Sequence, residues 1–560
     1  MLVDSLSIGL VAGLSLCLAA AATFPHGLDR QKPLAIATAG SRNPFDDDLG
    51  NFIDDLMERW KIPGMSVAVV DGDDVGKGYG YASIPDVEAT PETFYYAGST
   101  SKAFTAATLA HMMDSKNYTA LAGRWGTPIS SIIRDDFVLP DQWMTSNINL
   151  EDAVSHRTGY PRHDLSWPRY RDDGSKDTIA NTVRSLRYLK PSASPRTTYQ
   201  YCNLMFVTLG HVVETLTQKW LGDVIREMIW EPLGMTATFG DTEDAMAAPA
   251  HLAAGYIWDS EEEVYTRLPF GNNRDLGGAG LVISSVADYT KWVRCLLHET
   301  QPFSNKAHQD IRKTRMLTPE NESFADGDLV YGLAWEKKTY HNEVVYKHAG
   351  RTPAYATQVY WLPKRKYGVV VMANTGAANA AEDEVVWRLI ENKLGVPGGQ
   401  RYNISSRSVS SVSMYIPEKR LNIANSLEER RKAENKARQN LLNVLYPNRP
   451  ESPLPSALNN SQLVGKYSDP GYGSFNIGER EFDGEIVLVA NWLNTLEVKF
   501  NHVTGNYWLA QFFLIKKFFV VALAAEFKVG VDGKAAGLEL QLSKPEDEIN
   551  EGSVWFEKVN

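Results

Sequence analysis

Three short stretches carry the residue types that acyl-transfer chemistry needs. Ser99 and Lys102 form a Ser-x-x-Lys pair inside Ala97-Gly98-Ser99-Thr100-Ser101-Lys102-Ala103-Phe104. If a helix starts at or just before Ser99, Lys102 lies on the same face and its amine reaches the hydroxyl. A serine at the positive end of a helix dipole also sits where an alkoxide and an anionic tetrahedral intermediate are stabilised. Downstream, Tyr201-Cys202-Asn203 sets a phenol beside an amide ahead of an apolar helical run. A phenol next to an ammonium can lose its proton near neutral pH. His348-Ala349-Gly350 ends a strand-like run and could offer backbone N–H groups to an oxyanion. Singly, each pattern is commonplace: a solvated helix start, a half-buried tyrosine with an asparagine cap, a strand-end histidine. Together they supply a nucleophile, proton-handling groups and oxyanion donors, the set acyl transfer requires.

The surrounding pattern must bring these stretches together. The spacing of Leu49, Phe52, Ile53, Leu56, Met57 and Trp60 predicts a helix, stopped at Ile62-Pro63-Gly64. Residues 65–70 and 76–81 flank an Asp/Gly turn as a β-hairpin would. From 105 to 274 helical signals dominate, at 150–156, 178–189, 203–220 and 224–230. Strands return at 280–284, 344–348, 356–361 and 367–374, and a helix at 382–394 closes the block. The reading is α+β: an antiparallel sheet flanked by helices, split in sequence by a helical insertion lobe, with a cleft between sheet and lobe. Past Gly399 the chain turns Ser-rich. A charged helix then opens on a Ser426-x-x-Glu429 capping box, read as a solvated inter-domain segment, and four prolines between 447 and 455 make a linker. From 463 onward about eight short β runs predict a C-terminal all-β barrel or sandwich. The expected division is 1–22 signal peptide, 42–400 hydrolase block, 401–460 linker with charged helix, and 461–560 barrel.

Composition narrows the partners. At 560 residues, two domains are expected. A net charge of −11 speaks against nucleic acid and leaves no basic patch for an anionic membrane. The apolar run 6–24, ending Leu18-Ala19-Ala20-Ala21-Ala22-Thr23, reads as a secretory signal. Asp4 and the lack of Lys or Arg ahead of it keep an uncleaved anchor as the alternative. Sequons at Asn117, Asn321, Asn403 and Asn459 agree with a secretory route. With Cys17 in the signal, Cys202 and Cys295 remain, read as two separate buried thiols rather than a bridge. No Cys/His spacing suits zinc, so neither metal nor other cofactor is expected.

The order of the three motifs resembles the serine β-lactamase and penicillin-binding protein superfamily, in its class C β-lactamase-like branch of D-aminopeptidases, D,D-carboxypeptidases, esterases and acyltransferases. Ser155-His156-Arg157-Thr158-Gly159, Glu231-Pro232-Leu233-Gly234-Met235-Thr236, Gly277-Gly278-Ala279-Gly280-Leu281, Tyr331-Gly332-Leu333-Ala334-Trp335 and residues 367–374 are similar to that branch as well. The resemblance spans residues 46–394. It implies Ser99 as acylated nucleophile, with Lys102 and Tyr201 sharing the acid/base work. It further implies Asn203 as a binder of a substrate carbonyl, His348 and Gly350 in the place of Lys-Thr-Gly, and an oxyanion hole from the N–H groups of Ser99 and Arg351. The barrel resembles the lipocalin-like domain appended to some members. His348 in place of lysine removes a cation and shifts the expectation from penicillinase to esterase or amidase work on a small molecule or short peptide, unless the Arg351 side chain returns that charge. Acyl transfer to an alcohol or amine is the alternative, and a silent binding protein the third. Oligomeric state and substrate are not legible.

Overall fold

The computed structural model describes residues 23–24, 35–36, 43–168, 170, 175–318, 328–402, 426–482, 484–543 and 551–559. The expected signal segment and the sequons at Asn321 and Asn403 lie outside them.

Helix α1 (Asp47–Trp60) starts where the Asp46 side chain accepts from the Leu49 N–H. It buries the stripe Leu49, Ile53, Leu56, Met57 and Trp60, as its spacing requires. The hairpin β1 (Gly64–Asp71) and β2 (Asp73–Ser83) follows. A single 3₁₀ turn, Gly98–Thr100, leads into α2 (Ser101–Ser115). The helical lobe contains α3 (Asn203–Thr217), and α4 (Val286–His298) leads back to the sheet. Then come β3 (Glu336–Tyr340), β4 (Glu343–Arg351), β5 (Ala356–Leu362), β6 (Tyr367–Ala373) and α5 (Asn379–Leu394).

The central sheet runs β3-β4-β5-β6-β1-β2, antiparallel throughout, so the last strand in the block pairs with the first. Short strands extend both edges: Met316–Leu317 and Val330–Tyr331 beyond β3, Ala35–Ile36 beyond β2. Along β6, Val369, Val371 and Ala373 enter the core that holds α1 and α5, while Val370 and Met372 enter the core that holds α2, α4 and the lobe. Both faces are covered, so β6 reads as an unbroken apolar run rather than an alternating one.

Two local expectations needed correction. The strand expected at 280–284 is only Ile283–Ser284. The 3₁₀ stretch Asn273–Ala279 before it turns at Gly277 with φ 47°; Leu281 and Val282 are buried, and Val282 accepts the Ala97 N–H while giving its own N–H to Ser101 Oγ. Within the lobe the hairpin Gly255–Asp259 and Val264–Leu268 was unanticipated, because its acidic connection Ser260-Glu261-Glu262-Glu263 lacks a glycine turn signal.

Helix α6 (Leu427–Gln439) is capped by Ser426 Oγ, which accepts the Glu429 N–H at 3.2 Å. It is not simply solvated: Leu427 is buried, and Arg431 donates to the Trp258 carbonyl and to Ser260 Oγ. The C-terminal strands β7 (Gly465–Asp469), β8 (Gly473–Phe482), β9 (Glu485–Trp492), β10 (Leu496–Thr504), β11 (Tyr507–Leu514), β12 (Phe518–Val529), β13 (Ala535–Gln541) and β14 (Ser553–Val559) form a closed up-and-down barrel, β7 pairing with both β8 and β14. Closure removes sheet edges, and Phe475, Trp492, Phe512 and Phe556 pack against one another inside it.

Candidate active site

The nucleophile turn and the end of β4 meet backbone to backbone. Gly98 has φ 54°, and a Cβ there would lie 2.7 Å from Arg351 N. A Cβ on Gly350 would overlap the Ala97 carbonyl oxygen and lie 3.3 Å from Ser99 N. Only glycine at both positions permits that approach. The Ser99 N–H is one of the orphan donors of a first helical turn. Thr352 N–H donates to Tyr355 O at 2.9 Å, and Arg351 stands opposite Ala356. In an antiparallel ladder donors alternate sides, so the Arg351 N–H points away from β5, toward the Gly98–Ser99 turn. Two N–H groups therefore flank one point beside Ser99 Oγ.

Lys102 is fully buried in the first turn of α2. Its Nζ lies 3.1 Å from Ser99 Oγ, 2.8 Å from Asn203 Oδ1 and 2.9 Å from Ala279 O. Burial, then the charge of Arg162, hold its ammonium well below the ordinary lysine value. A neutral amine has two N–H bonds and one lone pair. Ala279 O can only accept, and Asn203 Nδ2 donates to Asp164 Oδ1 at 2.9 Å, which turns Oδ1 toward the lysine. When the amine is neutral, its two N–H bonds therefore go to Asn203 Oδ1 and Ala279 O, and its lone pair is left for the Ser99 hydroxyl.

Tyr201, just before α3, hydrogen-bonds Ser99 through its side chain, with its ring centroid 4.9 Å from Lys102 Nζ. Burial pushes the phenol above its ordinary range in spite of the Ser99 hydrogen bond and Arg162. Burial thus works against the phenolate that a neighbouring ammonium would favour, and it disfavours the Lys102 ammonium at the same time.

His348 is 3% exposed. Its Nδ1–H donates to the Ala349 carbonyl at 2.7 Å, and Nε2 accepts from Tyr331 O–H at 3.1 Å, which fixes the neutral tautomer. Burial and Lys102 push it down to about 3. Alternation along β4 puts His348 on the face of α2 and Arg351 on the opposite face, with the charges of Arg430, Glu434 and Glu382. Burial brings the guanidinium down to about 9. The Arg351 side chain therefore does not return to the cleft the charge that a third-motif lysine would bring; only its N–H faces the nucleophile.

Three further residues, none with an individual role assigned from the sequence, stand at the site. Asp164 orients Asn203 and takes Arg162 Nε at 2.7 Å on its other oxygen. The Arg162 guanidinium lies 4.9 Å from the Tyr201 ring centroid. His156 accepts the Cys202 N–H at Nδ1 (3.0 Å) and packs 4.2 Å, centroid to centroid, from Tyr201, pinning that ring. The one signal was the run Arg162-His163-Asp164, two residues past Ser155–Gly159, three titratable side chains in a row beside a turn. Cys202 and Cys295 are free and buried. Among the described residues no group of three or more His, Cys, Asp or Glu side chains could hold a metal ion, and no helix is long and apolar enough to cross a membrane.

Residues 49–391 match the Beta-lactamase family. The chain belongs to that family. Residues 449–558 match a domain of unknown function, DUF3471, over the barrel. The chain is similar to an unguisins hydrolase of Aspergillus campestris, 36% identical over 528 residues, 93% of each chain. In fold it is similar to an octameric penicillin-binding protein homologue from Pyrococcus abyssi, with TM-score 0.54 and 19% identity over 89% of this chain and 98% of that one. It is likewise similar to a D-amino acid amidase from Ochrobactrum anthropi, TM-score 0.51 and 20% identity, covering 62% of this chain and all of the other. The β-lactamase-like α+β fold with an appended eight-stranded barrel is thus shared with known members, and the chain is an enzyme of the serine hydrolase kind.

Proposed function

We propose that this Beta-lactamase family member hydrolyses amide bonds of a peptide-like small molecule through an acyl-enzyme on Ser99. The observation that carries the reading is the buried Lys102 amine 3.1 Å from Ser99 Oγ, with two pure acceptors, Asn203 Oδ1 and Ala279 O, placed to take its N–H bonds when it is neutral. Ser99 Oγ attacks the carbonyl carbon as its proton passes to Lys102 Nζ, and the oxyanion is received by the N–H groups of Ser99 and Arg351. The proton, now on Lys102, moves to the departing nitrogen with the Tyr201 hydroxyl as relay, and the C–N bond breaks. Water then adds to the ester, gives a proton to the same pair, and Ser99 leaves with it. Asn203 spends one Nδ2 hydrogen on Asp164, which leaves the second for a substrate carbonyl.

Neutral His348 offers no permanent cation for a substrate carboxylate, which supports an uncharged amide over a β-lactam. The relative named an unguisins hydrolase supports unguisin-like molecules as the substrate class. The test is a panel of unguisins, simple amides, esters and D-residue peptides, comparing the wild type with Ser99→Ala and with nucleophilic acceptors added. Hydrolysis of an amide that vanishes in Ser99→Ala supports the reading. An ester-only enzyme, or acyl groups passed to an acceptor in preference to water, refutes it in favour of esterase or acyltransferase chemistry.

A further inference from the structure

In an up-and-down barrel, alternate connections share one rim. The β7–β8 turn, the end of β9, the β11–β12 turn and the start of β14 all lie at the same end. That rim faces the hydrolase block. Lys517 of the β11–β12 turn pairs with Asp259 and, at 2.8 Å, with Glu262. The other three elements converge on the loop 162–167.

His163, near the start of this loop, is in the left-handed region, φ 47° and ψ 33°, a conformation a non-glycine residue holds only when its surroundings enforce it. Its N–H donates to Glu551 Oε1 at 3.1 Å. Its Nε2–H donates to the Lys190 carbonyl at 2.9 Å, so Nδ1 must accept from the Tyr472 hydroxyl, 2.6 Å away. Burial holds the ring down to about 4, so this tautomer persists at neutral pH. Two residues on, the Leu165 carbonyl accepts the Trp492 indole N–H at 3.0 Å. Tyr472, Glu551 and Trp492 all belong to the barrel. Between their attachment points sits Asp164, 1% exposed, whose Oδ1 receives Asn203 Nδ2.

We propose that the barrel is a working part of the active site: its rim fixes the 162–167 loop so that Asp164, a positioning residue, holds the Asn203 amide in the orientation that keeps the Lys102 lone pair on Ser99. The inference rests on the reading of Ser99 and Lys102 as the acylating pair. If Asp164 drifted, the Asn203 amide could rotate and present N–H rather than oxygen to the lysine. The amine would then lose one acceptor and turn its lone pair away from the hydroxyl. Three hydrogen bonds join the barrel to His163 and Leu165, the two residues that flank Asp164. A domain serving only as a surface appendage would not need that convergence.

The test uses the full chain and a fluorophosphonate probe, with the rate of Ser99 labelling read by mass spectrometry. Asp164→Asn is expected to slow labelling by about tenfold or more, and to move the acid limb of its pH profile downward, because Asp164 is one of the groups holding the Lys102 value up. Trp492→Phe keeps the ring and removes only the N–H, and Tyr472→Phe removes only the hydroxyl. Each is expected to slow labelling by about fivefold, the factor of one hydrogen bond, while the melting temperature stays within a few degrees of wild type. The deciding readout is the double variant. If the rim acts through Asp164, adding Trp492→Phe to Asp164→Asn costs much less than it does in the wild type. Barrel variants that label at the wild-type rate, or that slow Asp164→Asn by the same factor as the wild type, overturn the proposal while leaving the serine hydrolase reading intact. A wild-type Ser99 that never labels overturns both.

Discussion

Gly98→Ala tests the oxyanion hole through the backbone alone. The position has φ 54°, and an added Cβ would lie 2.7 Å from Arg351 N, about 0.7 Å inside ordinary contact. The left-handed conformation costs a non-glycine residue about 1 kcal/mol. Relieving the overlap means moving the nucleophile turn away from the end of β4, which separates the Ser99 and Arg351 N–H groups. Losing one aligned oxyanion donor costs about 3 kcal/mol in the transition state, or about a hundredfold in rate. Acylation by an activated ester under single-turnover conditions should therefore fall about a hundredfold, with little change in the concentration dependence, since the donors meet the charge that develops in the reaction. Gly234→Ala is the control: φ is 68° with open space around the site, so it should carry the conformational cost and leave acylation unchanged. Urea unfolding reports the stability change of both. If Gly98→Ala folds and acylates within about threefold of wild type, then the Ser99 and Arg351 N–H groups do not receive the oxyanion and the assignment is wrong.

Other consequences concern charge. His348 titrates at about 3 in the folded chain but at about 6.5 once unfolded. Above pH 6.5 neither state is protonated. As the pH falls below that, the unfolded chain takes up the proton first, and between pH 6.5 and 5 about 2 kcal/mol of stability should be lost. His348→Gln should show a shallower loss in urea titrations at the two pH values, and an equal slope would contradict the buried neutral ring. Arg162→Gln removes a cation that depresses Lys102. The acid limb of the acylation profile should move to higher pH, and an unmoved limb would mean Arg162 does not act on the lysine. In Ser99→Ala no fluorophosphonate adduct should form on the chain at the concentration that labels the wild type. An adduct elsewhere would point to a different nucleophile.

Much of the architecture was legible from pattern. The α1 stripe and the hairpin after it follow from periodicities that reflect which face must be buried. Alternation over eight short runs told of the barrel. The Gly255–Leu268 hairpin was not legible, because a turn rich in glutamate carries no local signature and only packing in the lobe specifies it. The Ser99, Lys102, Tyr201 and Asn203 set could be named because the chemistry demands those residue types, and the fold brings them together.

Protonation and direction were beyond the sequence. Whether Tyr201 or Lys102 gives up its proton depends on how completely each is removed from water and on which charges lie nearby, and Arg162 and Asp164 come from a loop some forty residues before Tyr201. Whether Arg351 offers the cleft its guanidinium or only its N–H depends on the parity of β4, which a shift of one residue would invert. The sequence by itself determined the chemical inventory and the elements that carry it, since residue type and periodicity are local properties. Only the tertiary structure decided that Lys102 is buried deeply enough to disfavour its ammonium, which way the Asn203 amide faces, and that the barrel grips the loop behind it. Those properties arise from burial and from hydrogen bonds between residues as far apart as His163 and Glu551.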